Sequence, residues 1–155
     1  CILIFIGGCQ SNTKLSKAKQ IYEDMIVKIE QTASEDFIMP LPFDIKVYVD
    51  KVVESEVIYR VIINKPTESL KNVSVLAIHN YPTKDIFPNI GIFDDKVNLI
   101  PDFIDMEGNY VKGISLTGYV PYDDDLMKFN GIFKVIVNYE DELGNIINVF
   151  YIYQN

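Results

Sequence analysis

Thiols, imidazoles and paired carboxylates are the groups that most protein chemistry requires, and this sequence holds few of them where they could act together. Its two cysteines, Cys1 and Cys9, both lie within the first nine residues. The chain beyond Cys9 therefore has no disulfide, no thiolate metal site and no cysteine nucleophile. The one imidazole, His79, closes the run NVSVLAIHN, where a lone histidine reads as a structural residue at a strand end. A zinc site would need further nitrogen or sulfur ligands. Ser115, in GISLTG, falls inside a strand-like run and not on the strand-to-helix turn of a nucleophilic serine. Two acidic runs, Asp123-Asp124-Asp125 and Glu140-Asp141-Glu142, offer the hard oxygens that Ca²⁺ prefers. Neither has the spaced D-x-[DN]-x-[DN]-G pattern, and both read as solvated turns. Hydrolysis by paired carboxylates requires two acids at fixed separation in a cleft, which a sequence does not display, and a hydrolase of that kind stays as the remainder reading. Asn72-Val73-Ser74 matches the glycosylation sequon, a motif short enough to arise by chance. The expectation is a protein with no catalytic residues, no metal site and no cofactor.

Charge narrows the partners. The formal net charge is -8, from 22 acidic against 14 basic residues, and Arg60 is the single arginine. An acidic surface without a basic cluster repels phosphate backbones, so no nucleic-acid partner is expected. Bidentate arginine recognition can rest on Arg60 alone.

The chain opens CILIFIGGC, an apolar run that ends in small residues, and continues with the polar QSNTK. The four residues Ile6-Gly7-Gly8-Cys9 resemble the lipobox of bacterial lipoproteins. That resemblance implies lipidation of the Cys9 thiol and cleavage between Gly8 and Cys9, with residues 1–8 as the end of a signal peptide. The membrane is then a partner through acyl chains, palmitate among them, on Cys9. Two chains on one residue anchor stably, at about 0.8 kcal/mol per buried CH₂. The implied location is the outer face of a bacterial cell membrane, Gram-positive in type. ILIFI would also suit a buried strand before a Gly-Gly turn, and the polar stretch after Cys9 favours the tether.

These groups need a scaffold to position them. From Lys14 to about Gln31, Leu15, Ala18, Tyr22, Met25, Ile26 and Ile29 recur at three- and four-residue spacing, which predicts a helix with one apolar stripe. Thr13 or Asn12 is the expected N-cap. The stripe suits packing on the helix's own domain, or a spacer or coiled-coil contact with another protein. Residues 32–42 hold Pro40 and Pro42 and read as an extended linker. From Phe43 the apolar period becomes two. FDIKVYV, EVIYRVII, NVSVLAI, IGIF, VKGISLTGYV, GIFKVIVNY and NIINVFYIY follow as about seven short strands between turn signals. EDELGN, residues 140–145, reads as a hairpin loop with Gly144 at positive φ.

Seven runs over 43–155, without intervening helices, predict a mainly β fold, an antiparallel sandwich preceded by one α-helix. DLMKFNGIFKVIV, residues 125–137, is similar to the penultimate-strand pattern of immunoglobulin-like domains. The resemblance places Phe133 where such domains carry a corner tyrosine, and Val135 where they carry a cysteine. The expected organisation is residues 1–8 as signal peptide, 9–42 as lipidated tether, helix and linker, and 43–155 as an immunoglobulin-like sandwich. In YPTKDIFPNIGIF, Phe87 lies outside the alternating run on a loop reaching one end of the sandwich. With Tyr81, it is the expected anchor for a protein partner, unless the loop folds back as a core cover. The function implied is a membrane-anchored, non-enzymatic binding or accessory module. The alternative is a structural subunit of a membrane complex, docking through the N-terminal helix.

Overall fold

A computed structural model of the chain describes residues 10–36, 40–82, 90–101 and 110–155. The period-two runs form strands β1 (Asp44–Val53), β2 (Glu56–Asn64), β3 (Leu70–His79), β4 (Ile90–Leu99), β5 (Tyr110–Val111), β6 (Gly113–Pro121), β7 (Ile132–Glu140) and β8 (Ile146–Gln154). They build two sheets, one ordered β1-β2-β6 and the other β5-β4-β3-β7-β8. All pairings are antiparallel except the short contact of β5 with β4. Mainly β with one helix is the architecture observed.

Alternation decides what each strand buries. Val57, Tyr59, Val61 and Ile63 of β2 face inward against Val73, Val75 and Ala77 of β3 and Phe133, Val135 and Val137 of β7. The apolar faces of the two sheets thus close on one another as a sandwich core. Helix α1 (Gln10–Gln31) adds a third layer outside the five-stranded sheet. Its Met25 and Ile29 are buried on Leu76 of β3 and Ile136 of β7, and Ile21, Tyr22 and Ile26 pack beside them. Packing on its own domain is therefore how the apolar stripe is used, and the helix is continuous in space with the sandwich.

Three local differences from the sequence expectation have physical causes. The helix already includes Gln10, so Asn12 and Thr13 lie within it and do not cap it. A cap preference of about 1 kcal/mol does not stop a helix where neither proline nor glycine interrupts it. Strand β4 continues past Phe93 to Leu99. Its alternation is hidden because the register jumps from Val75↔Ile92 to Val73↔Val97, which makes β4 bulge across Asp94 and Asp95. The third concerns the β1–β2 turn. It is a two-residue hairpin with Glu54 and Ser55 both at positive φ, 50° and 69°, the conformation a primed turn requires. Neither residue type announces it.

The linker closes an edge. Asp36 exchanges two backbone hydrogen bonds with Phe150 of β8, at 3.2 and 3.0 Å. The outer edge of the last strand is therefore partly paired.

Candidate functional site

Of the residues singled out from the sequence, Cys9 and Phe87 lie outside the described residues. Tyr81 follows β3 and is half-buried. Its ring stacks on Phe129 with centroids 4.8 Å apart, and Tyr122 meets both rings edge-on. Its hydroxyl accepts from the Asn130 backbone N–H at 3.4 Å. Tyr81 thus helps cover one end of the core, with part of its surface left to solvent. His79 sits beside it at the end of β3. Its Nδ1 accepts from the Tyr81 backbone N–H, and its ring meets Tyr59 edge-on. That is a structural setting for an imidazole.

The acidic runs build turns. Asp125 accepts from the Met127 N–H and starts a short 3₁₀ turn, while Asp124 pairs with Lys128 at 3.2 Å. Asp141 accepts from the Leu143 and Asn145 backbone N–H groups and from the Asn145 side chain. These bonds, the Asn145 side chain's foremost, hold its carboxyl below the usual range. Among the described residues, no three histidines, cysteines or carboxylates gather as a metal site. No described helix is long and apolar enough to cross a membrane.

The most distinctive exposed chemistry lies on the outer face of the three-stranded sheet. Register arranges it in rows. Tyr48 of β1 stands opposite Arg60 of β2, and Arg60 opposite Thr117 of β6. The next row sets Ile58 opposite Tyr119, and the row on the other side sets Lys46, Ile62 and Ser115 across the sheet. Tyr48 is 41% exposed and Tyr119 53% exposed. Ile58 and Ile62, on either side of Arg60 along β2, are half-buried.

Arg60 is held in place at the centre of this face. Its Nε and a terminal nitrogen donate to the two oxygens of Asp50 at 2.6 and 3.1 Å, and its guanidinium lies 5.7 Å from the Tyr48 ring centre. Asp50 sits at the bulge between Val49 and Lys51. Planar, bidentate pairing with Asp50 fixes the orientation of the fork beside the Tyr48 ring. Alternation already placed Tyr48 opposite the buried positions of β1. What the sequence does not carry is strand order, and strand order is what brings Tyr48, Arg60 and Tyr119 to one face.

Compared with known proteins, the chain matches no family model, no curated protein and no solved structure.

Proposed function

We propose that this chain is a non-enzymatic binding module held by lipid on Cys9 at the outer face of a bacterial cell membrane. In this reading it grips a protein partner through the outer face of its three-stranded sheet. The observation that carries the reading is the constellation of Tyr48, Arg60 and Tyr119. Tyrosine and arginine are among the side chains that most often dominate interface energetics, and here they share an outer sheet face covered by no described element. Anchoring rests on the lipobox-like Ile6-Gly7-Gly8-Cys9.

We assign the sandwich to the immunoglobulin-like class. Its order β1-β2-β6 opposed to β4-β3-β7-β8 corresponds to A-B-E opposed to C′-C-F-G of such domains, which supports the assignment. The fold carries no function by itself. The alternative, an assembly subunit docking through the helix, has less support, because Met25 and Ile29 of the apolar stripe are already buried on the sheet.

Two variants test the proposal. Cys9→Ala should abolish labelling by an alkyne-palmitate analogue and move the protein out of the membrane fraction. Labelling equal to wild type would refute the anchor. Tyr119→Ala should retain the melting temperature and weaken capture of the partner that the wild-type chain retains from membranes. Unchanged capture with Tyr119→Ala and with Arg60→Ala would refute the contact face.

A further inference from the structure

The opposite face of the molecule changes character along its strands. Under α1 the outward row of the five-stranded sheet is apolar: Leu76 of β3, Ile136 of β7 and Phe150 of β8 stand in register. One pleat further along, the row becomes polar, with Ser74, Asn138 and Asn148 in register on the same three strands. Helix α1 reaches over this second row. Lys17 and Ile21 form one wall of a cleft of about 450 Å³, and Asn72, Ser74, Phe93 and Asn138 line the sheet side.

Among the described residues that line it, the cleft carries one lysine and one aspartate, within a chain of net charge -8. Its cation, Lys17, is paired with Asp94 at 3.1 Å, and the Asp94 side chain is only 12% exposed. The other polar groups are neutral and already oriented. An Asn138 amide N–H donates to Asn148 at 2.9 Å, an Asn72 amide N–H donates to Glu140 at 3.3 Å, and the Ser74 hydroxyl donates to the Phe93 carbonyl at 3.2 Å. Each asparagine amide carries two N–H donors and one oxygen acceptor. These contacts use one N–H apiece, and they leave the Ser74 oxygen its lone pairs. Phe93 and Ile21 add an apolar side to the same space.

Mixed donors and acceptors, a lysine and an aspartate paired with each other, and one apolar wall match a ligand that offers vicinal hydroxyls on one edge and C–H groups on its face. We propose that this cleft binds a neutral saccharide of one or two rings. The volume lies in the range of small-ligand pockets and is short for an extended peptide. A phosphorylated sugar or nucleotide would meet a lysine already neutralised by Asp94. This proposal is independent of the anchor and of the contact face on the other sheet.

The test is ¹H–¹⁵N NMR titration of the chain with glucose, galactose, N-acetylglucosamine, maltose and cellobiose. At least one sugar should give saturable shifts of the Asn72 and Asn138 side-chain amides. Asn138→Ala should weaken that binding about tenfold, the loss expected for one or two neutral hydrogen bonds. Because Asn138 is half-buried, Asn72→Gly is the second variant. It removes an exposed side chain at a position of φ +50° that glycine accepts, and should weaken binding similarly with melting unchanged. Met127→Ala, at a 93% exposed side chain outside both surfaces, should bind as wild type. The proposal is overturned if no sugar shifts these amides, or if both cleft variants bind as wild type. Tighter binding of glucuronate, glucosamine or trialanine than of every neutral sugar would overturn it equally.

Discussion

Tyr59 lies wholly buried between Phe133 and His79, and among the described residues its hydroxyl has no hydrogen-bond partner. Burial pushes its pKa well above the ordinary value. A raised pKa favours the protonated form in the folded state. Its stabilisation is complete below about pH 10 and is lost as pH rises beyond that. Tyr59→Phe removes an unsatisfied polar group and keeps the ring. It should be neutral or stabilise by up to about 1–3 kcal/mol, measured by urea denaturation; a loss of more than about 1 kcal/mol would show that the hydroxyl is bonded. The neighbouring strand fits itself to this ring. A Cβ at Gly118 would fall against the Tyr59 ring, so Gly118→Ala should cost about 1–3 kcal/mol, with overpacking as the cause. Asp141 works in the opposite sense at acid pH. Its lowered pKa contributes stability that is present above about pH 4 and lost as pH falls through the folded value. Asp141→Asn should therefore flatten the acid limb of stability against pH, and an unchanged limb would contradict the role of the Asn145 bonds.

At the scale of elements, the helix is the piece whose role sequence left open. The spacing of Tyr22, Met25, Ile26 and Ile29 gave away a stripe but not what it covers. The surface that receives it, Leu76 and Ile136, comes from strands far apart in sequence. If α1 is a layer of the fold, Ile29→Ala should cost about 2–5 kcal/mol, as buried aliphatic truncations do. A detachable spacer would melt as wild type. Strands β2 and β7 were legible because inward positions alternate without interruption, as Phe133, Val135, Val137 and Tyr139 do. The extent of β4 was not, since its bulge places Asp94 and Asp95 where alternation would demand an apolar residue. The β1–β2 turn was hidden for a different reason: Glu54 and Ser55 adopt positive φ at a cost that other contacts cover. Ser55→Gly should relieve about 1 kcal/mol of that strain, read as a higher melting temperature.

Across the whole molecule, the three layers leave two outer surfaces with different chemistry. The five-stranded sheet is covered by α1 over its apolar half, and its polar half borders the cleft. The three-stranded sheet is uncovered by any described element and presents Tyr48, Arg60 and Tyr119. Of the expected anchors, Tyr81 proved to stack over the core end with Phe129. The face proposed for partner contact depends on β2 lying between β1 and β6, a long-range pairing that local patterning cannot express. Site-specific photocrosslinking on membranes tests this account most directly, with benzoylphenylalanine at Thr117, in the centre of that face, or at Glu23 on the solvent side of α1. Crosslinks to a protein from Thr117 and none from Glu23 are the predicted result. Crosslinks from Glu23 alone, or from neither position, would contradict it.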